Sequence, residues 1–166
     1  MRVGIIGLGN MGTAIGNMIA NNGYEVLGWN FAPEVVAEVN ERQTNKRYLP
    51  NIPLHSSLRA TEDLAKLVAA CGVVFISIPS VFIQSTLSSV KSELDNDLVL
   101  VNMAKGIRRD TGLTSFQTLT AMFPDNPRIM LSGPSIANEF AHKMPTVVVL
   151  AGQTPYHLLQ VSRMLD

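Results

Sequence analysis

The fold is decided near the amino terminus, by the stretch Val3-Gly4-Ile5-Ile6-Gly7-Leu8-Gly9-Asn10-Met11-Gly12. The apolar run Val3–Ile6 predicts a buried strand, and the apolar residues spaced along Asn10–Asn22 predict an amphipathic helix that Gly23 ends. Between them, three glycines follow the spacing G-x-G-x-x-G. A strand, a glycine turn and a helix in this order are typical of a dinucleotide-binding site.

Each glycine meets a different requirement of such a site. Gly7 permits the tight turn, Gly9 lets a pyrophosphate approach the backbone, and Gly12 lets the helix pack closely on the strand. The free N–H groups at the start of the helix attract the diphosphate. The alternative, a glycine-rich turn without a ligand, is disfavoured by the strand and the helix on either side.

Short apolar runs alternate with amphipathic segments along the rest of the chain. The runs are nearly continuous in Val, Ile and Leu, as expected of strands covered on both faces. The predicted strands are Val3–Ile6, Glu25–Trp29, Val73–Ile78, Leu98–Val101, Arg128–Leu131 and Thr146–Leu150. The predicted helices are Asn10–Asn22, Pro33–Gln43, a helix capped by Thr61–Asp63 and ending at Ala70, Ser80–Val90, Thr111–Phe123, Ile136–His142, and a last helix from Thr154-Pro155 to Asp166.

This rotation of strand and helix predicts a doubly wound α/β fold with a parallel sheet between two helical layers, a Rossmann fold. Residues 1–166 form one such domain. Thr44–Ser57 is the longest irregular segment, and a loop of that length is usually functional or mobile.

Composition excludes several other classes of protein. The 166 residues include 46 % apolar residues, enough for a sizeable core, and only 16 % charged ones, against about 25 % in an average domain. A surface so poor in charge suggests that part of it is covered by something else. Thirteen basic and thirteen acidic residues cancel, which gives no electrostatic reason to expect nucleic acid or an anionic membrane as partner.

Single-residue types narrow the choice further. Cys71, the one cysteine, follows a helix and precedes an apolar run, which favours a buried structural thiol over a nucleophile. The three histidines have no partner at metal-ligand spacing, so no metal site is expected. No apolar run approaches the ~18 residues of a membrane span, and we expect a cytoplasmic protein.

The tip of the second predicted strand bears on the cofactor. Asn30, Phe31 and Ala32 follow that strand, so it ends without the acid that usually binds the adenosine ribose and without a base for a 2′-phosphate. Asn30 is a candidate for the ribose hydroxyl and Phe31 for stacking on adenine. The residues favour a nicotinamide dinucleotide and leave NAD against NADP open.

Three further loops should converge on the reactive end of the cofactor, because ligands lie beyond the carboxyl ends of such strands. Lys105 follows the fourth predicted strand and precedes Gly106. Its cation can polarise a substrate carbonyl at this position. The alternative is an ordinary solvated lysine on the surface. Ser135 is a candidate for substrate binding or for capping a helix. Phe82 reads as core, and Arg108-Arg109 as a solvated pair.

These motifs together resemble the amino-terminal domain of the NAD(P)-dependent glycerol-3-phosphate dehydrogenases. The resemblance runs in order over almost the whole chain, and its later elements are specific in combination, whereas the glycine loop alone resembles 6-phosphogluconate and 3-hydroxyisobutyrate dehydrogenases equally. Its elements are Gly7–Gly12, Trp29 and Phe31, Asn45–Pro50, Ile78–Ser80, Ala104–Ile107 and Leu131–Glu139.

The resemblance implies hydride transfer between NADH or NADPH and dihydroxyacetone phosphate, giving sn-glycerol 3-phosphate, in glycerol-3-phosphate metabolism and phospholipid biosynthesis. It implies Lys105 as the catalytic residue, at both substrate and cofactor, and Gly133 and Ser135 in the substrate loop. Many members carry a basic residue at or beside the position of Phe31, which suits the 2′-phosphate of NADPH. This chain has Phe31-Ala32 there, which favours NAD. The implied cofactor-binding residues are Gly7, Leu8, Gly9, Asn10, Met11, Gly12, Phe31, Pro79, Phe82, Lys105 and Ala137.

The family's second, helical domain has no counterpart in these residues. By resemblance, that domain carries a proton-transferring lysine and an Arg/Asn pair for the substrate phosphate. We therefore expect this chain to bind dinucleotide with little turnover. We also expect it to expose an apolar patch near its last helix, through which it self-associates as a homodimer. A hydroxy-acid dehydrogenase and a non-enzymatic dinucleotide-binding module are the alternatives.

Overall fold

A seven-stranded sheet forms the centre of the structure, a computed structural model that describes residues 1–134 and 136–166. The strands are β1 (Arg2–Ile6), β2 (Glu25–Trp29), β3 (Leu58–Thr61), β4 (Val73–Ile76), β5 (Val99–Asn102), β6 (Arg128–Ser132) and β7 (Val149–Gly152). The helices are α1 (Asn10–Asn21), α2 (Pro33–Arg42), α3 (Leu64–Ala70), α4 (Ile83–Ser88), α5 (Ser115–Met122), α6 (Ala137–Ala141) and α7 (Pro155–Leu165). Short 3-10 turns cover Ser80–Phe82 and Lys91–Glu93.

The strand order is β3-β2-β1-β4-β5-β6-β7, and the first six strands run parallel. The chain leaves β3 at one edge and returns beside β1 as β4, so the order reverses between β1 and β4. This is the doubly wound order, which confirms the predicted fold class. It also places the ligand crevice at the carboxyl ends of β1 and β4.

Two apolar cores lie on opposite faces of the sheet, which confirms the three-layer arrangement. Alternate residues of β4 supply both, because successive side chains of a strand point to opposite faces. Val73 and Phe75 pack in the core under α1, α2, α6 and α7, and Val74 and Ile76 pack in the core under α3, α4 and α5. A strand buried on both faces needs the continuous apolar sequence from which it was predicted.

The strand β3 was missed in the sequence. It has only four residues, of which Leu58 and Ala60 are buried, Arg59 is exposed and Thr61 is half-buried. Since β3 is an edge strand with one face partly in solvent, it alternates and gives no apolar run. The predicted cap at Thr61–Asp63 is confirmed in its last residue, because the Asp63 carboxylate accepts the Lys66 N–H of α3 at 2.9 Å.

The expectation of a wholly parallel sheet is wrong for β7, which runs antiparallel to β6. Ser132, the last residue of β6, pairs with Val149, the first of β7, so the connection between them stays at the carboxyl edge of the sheet. The helix in that connection, α6, has five residues and spans about 7.5 Å, too short to return the chain along the sheet. The connection that follows β6 therefore stays at this edge of the sheet, where its helix α6 contacts α1.

The long connection between α2 and β3, residues 43–57, is packed against the domain, and we call it the strap. Leu49 and Leu54 of the strap are buried in the core. The Glu38 carboxylate of α2 accepts the Thr44 hydroxyl at 2.7 Å and the Lys46 N–H at 3.1 Å. The hydroxyl of Thr44, followed by that N–H, holds the pKa of the Glu38 carboxyl below its ordinary value.

Two expectations from single residues can be compared with the structure. Cys71 is buried, and burial raises the pKa of its thiol to about 11, so the thiol stays protonated and unreactive at neutral pH. This confirms the structural thiol. Within residues 1–134 and 136–166, no helix has the length and apolarity that a membrane crossing requires.

Candidate functional site

The glycine turn between β1 and α1 is held against β2 by its backbone. The N–H groups of Gly7 and Leu8 both donate to the Trp29 carbonyl, at 3.0 and 3.1 Å. Gly7 has φ +101°, a conformation that side chains disfavour. A Cβ on Gly12 would lie 1.9 Å from the Gly7 carbonyl oxygen, so helix and strand approach too closely for any side chain.

Gly9 differs from the other two glycines because it borders open space. A Cβ built on Gly9 meets no described atom within 4 Å, and Gly9 precedes the first residue of α1 without a side-chain cap. The first N–H groups of a helix lack partners within the helix and carry its positive dipole. The turn therefore has both the room and the donors that a diphosphate requires.

At the tip of β2, Asn30 does not serve the predicted role. Its side chain is buried, donates from Nδ2 to the Leu8 carbonyl at 3.4 Å, and accepts the Ala32 N–H at 3.0 Å. This amide shapes the turn, and with only 4 % of the residue exposed it offers almost no surface to a ribose hydroxyl. Phe31, by contrast, is 74 % exposed, which leaves its ring free to stack on a base.

Beside the glycine turn, the loops after β4 and β5 meet the end of β6 at a cavity of about 300 Å³. Its lining combines backbone and apolar side chains with the Lys105 cation. The residues are Met11, Ser77, Ile78, Pro79, Met103, Ala104, Lys105 and Leu131. The convergence expected from the sequence is thus present, at the position where the strand order reverses.

Lys105 joins two of these loops directly. Its Nζ donates to the Gly133 carbonyl at 3.1 Å, which links the loop after β5 to the loop after β6. A lysine ammonium has three donors, so this bond leaves two for another acceptor. Gly133 has φ +123°, and a Cβ there would lie 3.1 Å from the Val147 carbonyl oxygen, which explains the glycine.

A buried amide that sequence reasoning missed holds the Lys105 loop. Asn102 at the end of β5 is fully buried, and its Nδ2 donates to the Ala104 carbonyl at 3.1 Å and to Ser115 Oγ at 2.9 Å. The Ser115 hydroxyl also donates to the Ala104 carbonyl, at 2.5 Å. The available signal was an asparagine directly after an apolar run that predicts a buried strand, because a buried polar side chain must be hydrogen-bonded.

Comparisons with known proteins agree with this geometry. A family model described as the NAD-dependent glycerol-3-phosphate dehydrogenase N-terminus matches residues 2–157. This chain belongs to that family. Among its relatives is the glycerol-3-phosphate dehydrogenase [NAD(P)+] of Clostridium tetani, 35 % identical over 161 residues, which are 97 % of this chain and 46 % of the relative. The glycerol-3-phosphate dehydrogenase [NAD(P)+] of Geobacter metallireducens is 36 % identical to this chain. The match covers 98 % of this chain and 50 % of the length of that relative.

Solved structures extend the likeness to three dimensions. The glycerol-3-phosphate dehydrogenase of Coxiella burnetii matches with a TM-score of 0.92 and 27 % identity, over 99 % of this chain and 50 % of that one. A 3-hydroxyisobutyrate dehydrogenase of Salmonella typhimurium matches with a TM-score of 0.68 at 15 % identity, which shows a shared fold alone. The chain spans about half the length of the curated glycerol-3-phosphate dehydrogenases it matches.

The other residues proposed by resemblance to these dehydrogenases occupy varied positions. The Leu8 side chain is buried against Gly28, so only its backbone faces the turn, and Asn10 is exposed at the start of α1. Phe82 is 56 % exposed at the tip of β4, which makes its reading as core wrong. Ala137 begins α6 and packs on the core beside α1. Ser135 lies outside the described residues.

The reading of Arg108-Arg109 as a solvated pair is wrong for Arg108. Its side chain is 14 % exposed, and its guanidinium bonds Gln84 of α4 and pairs with the Asp110 carboxylate, with Nε to Oδ1 at 3.0 Å. The hydrogen bond from Arg108 holds the pKa of the Asp110 carboxyl below its ordinary value. Arg108 therefore ties the Lys105 loop to α4, a connection with no signal in the local sequence.

The glycine turn generates a paired prediction. Gly12→Ala should lower the free energy of unfolding by about 3 kcal/mol, because the new methyl overlaps the Gly7 carbonyl. Gly9→Ala should change it by less than about 0.5 kcal/mol, since Gly9 has φ −79° and open space around it, yet should weaken NADH binding at least about tenfold. Thermal unfolding and NADH fluorescence titration measure the two effects. Unchanged affinity in Gly9→Ala would mean that no diphosphate lies on this turn.

Proposed function

We propose that this chain is the cofactor-binding half of a glycerol-3-phosphate dehydrogenase. It binds NAD(H) or NADP(H) and takes part in reversible hydride transfer between the cofactor and dihydroxyacetone phosphate, giving sn-glycerol 3-phosphate. The observation that carries the proposal is the position of the Lys105 cation in a cavity lined by Met11 of α1, the loops after β4 and β5 and the end of β6, with its Nζ bonded to the loop after β6. The substrate follows from the names of the relatives.

The described residues fit a nicotinamide dinucleotide from end to end. The open backbone at Gly9 and the start of α1 bind the diphosphate, and exposed Phe31 and Phe82 offer aromatic faces on either side of the strand-order reversal. Pro79 and Met11 line the cavity that would hold the nicotinamide. When bound, the nicotinamide supplies the hydride.

Lys105 is the residue we assign to the reacting end. Hydride addition to a carbonyl carbon places negative charge on the carbonyl oxygen, and a cation held nearby stabilises that charge. The bond from Nζ to the Gly133 carbonyl orients the ammonium while two donors remain for substrate. Gly133 and Ser135 are the proposed substrate-loop contacts from the chain after β6.

NAD is the proposed preference over NADP. Phe31 and Ala32 at the tip of β2 carry no charge for a 2′-phosphate. Arg47 of the strap brings a cation to the start of α2, but its Nη1 lies 3.4 Å from Glu34 Oε1 and its guanidinium lies 5.3 Å from the Tyr48 ring centroid. A guanidinium already engaged by a carboxylate attracts a phosphate less strongly.

Fluorescence titration with the two reduced cofactors tests this preference. The chain should bind NADH more tightly than NADPH, and Glu34→Gln should narrow the difference by freeing Arg47. The variant Glu25→Gln is a suitable control, because Glu25 pairs with Arg2 at the opposite end of β2 and should leave the ratio unchanged. Tighter binding of NADPH by the unaltered chain contradicts the proposed preference, and binding of neither contradicts the proposed function.

Catalysis is proposed to need a further helical half of the kind implied by the family resemblance. With dihydroxyacetone phosphate, this chain should oxidise NADH at a rate near zero, whereas a longer polypeptide that includes the second half should turn over. In that longer polypeptide, Lys105→Met should lower kcat by about 10²- to 10³-fold, because one stabiliser of the developing oxyanion is lost. Steady-state absorbance at the NADH band measures both. A longer polypeptide that prefers another carbonyl compound excludes the proposed substrate.

Two other functions remain as weaker candidates. A hydroxy-acid dehydrogenase is favoured only by structural neighbours of 12–15 % identity, which share the fold. A dinucleotide-binding module without catalysis is the other candidate, because the glycine turn alone provides the room and the donors for a diphosphate. A cytoplasmic location is likewise proposed on the sequence expectation.

The edge of the sheet at β7 is where we place contacts with the further half or with a second copy. Exposed apolar side chains follow one another there, on the chain from the end of α6 to α7, and β7 leaves one strand edge unpaired by described residues. A neighbouring groove of about 650 Å³ runs between α1, α6 and the end of α7. We call Met144, Val147, Val149, Tyr156 and Leu159 the apolar flank; each is more than half exposed.

Self-association of the free chain tests the role of the apolar flank. The chain should show a concentration-dependent dimer in sedimentation velocity, because uncovered apolar surface of this kind favours association. Val149→Lys, which puts a charge on the β7 edge, should shift the equilibrium toward monomer, whereas Ile107→Lys, at an equally exposed position after β5, should not. A monomer at every concentration would contradict the proposed contact.

A further inference from the structure

We propose that Asn45 is a positioning residue that sets the conformation of the glycine turn from the strap. Its side chain is completely buried, although the strap is an irregular segment. Nδ2 donates to the Leu8 carbonyl at 3.0 Å and to Thr13 Oγ1 at 2.9 Å, so one amide bridges the turn and the first turns of α1. The link to cofactor binding rests on the function proposed above.

The Leu8 carbonyl is an unusual acceptor. In the first turn of α1, the Thr13 N–H donates to the Gly9 carbonyl at 2.9 Å, which begins the helical ladder one residue after Leu8. The Leu8 carbonyl instead receives two side-chain amides, Asn45 at 3.0 Å and Asn30 at 3.4 Å. Two buried neutral donors on one carbonyl restrict how the peptide plane can rotate.

The orientation of that peptide decides where the next N–H points. The peptide bond between Leu8 and Gly9 is trans, so its C=O and N–H point in opposite directions. Drawing the Leu8 carbonyl toward Asn45 therefore turns the Gly9 N–H away from the interior. Gly9 borders open space, which makes this N–H a preset donor for an anion at the turn.

Asn45 is itself held in place on both sides. Its neighbours Thr44 and Lys46 bond the same Glu38 carboxylate, at 2.7 and 3.1 Å. Its own carbonyl accepts the N–H of Leu49, a core residue, at 2.8 Å. The strap is thus bonded to α2 and to the core. These bonds fix the position of the Asn45 side chain, which in turn bonds the glycine turn.

The test compares Asn45→Ala with Asn126→Ala. Asn126 is also buried and donates to two backbone carbonyls, of Asp95 at 2.8 Å and of Leu98 at 3.0 Å, but it lies at the amino-terminal edge of the sheet. Both variants lose a buried amide and should lower the melting temperature comparably. Only Asn45→Ala should raise the NADH dissociation constant, by about tenfold at a temperature where both are folded.

A readout without cofactor separates this inference from the proposed function. In Asn45→Ala, the Thr13 amide proton should exchange with solvent faster than the loss of global stability alone explains. In Asn126→Ala, its exchange should change only by as much as the loss of global stability explains. Should Asn45→Ala fail to fold, Asn45→Leu keeps a similar size and carries neither a donor nor a charge, and it should weaken NADH binding to a similar degree.

Three results overturn the inference: unchanged NADH affinity in a folded Asn45 variant, equal weakening by Asn45→Ala and Asn126→Ala, or unchanged exchange at Thr13. If the unaltered chain does not bind NADH, the proposed function fails, and the exchange measurement alone decides whether Asn45 sets the turn.

Discussion

The contact between Gly12 and the Gly7 carbonyl is the constraint on which the site depends. Because a Cβ at Gly12 would lie 1.9 Å from that oxygen, α1 sits against the end of β1 as closely as backbone permits. The same turn is bonded to Trp29 at the end of β2. One close approach therefore aligns two strand ends and a helix N-terminus, and everything that reaches the cofactor is positioned relative to them.

Around this turn, the loops are braced by buried neutral amides rather than by buried ions. Asn30 and Asn45 bond the Leu8 carbonyl, and Asn102 bonds the Ala104 carbonyl next to Lys105. An amide satisfies a buried carbonyl without the cost of desolvating a charge. The low charge content of the chain is consistent with this construction, since many of the groups that shape the site are asparagines and glycines.

The antiparallel β7 also serves the site. Since β6 and β7 meet at Ser132 and Val149, the segment between them remains at the carboxyl edge, where the Gly133 carbonyl accepts Lys105. A parallel crossover would have carried that segment to the other end of the sheet. The position of Gly133 beside Lys105 is thus a consequence of strand direction.

Sequence reasoning succeeded where one local pattern has one physical solution. The apolar runs predicted five of the six parallel strands, and the three glycines predicted a turn whose close contacts the structure contains. It failed where a residue acts through a distant partner. The sequence predicts a solvated Arg108, but its guanidinium bonds Gln84, 24 positions earlier. The sequence also predicts Asn30 as a ribose ligand, but its buried amide donates to the Leu8 carbonyl, 22 positions earlier.

The sequence by itself therefore determined the doubly wound architecture, the glycine turn and the candidate lysine, because strand burial, helix periodicity and glycine sterics are properties of neighbouring residues. Only the tertiary structure decided the edge strand β3, the direction of β7 and the role of Asn45. Those depend on which groups meet after long stretches of intervening chain, as Asn45 and Leu8 do across 37 positions, and no local pattern encodes such a meeting.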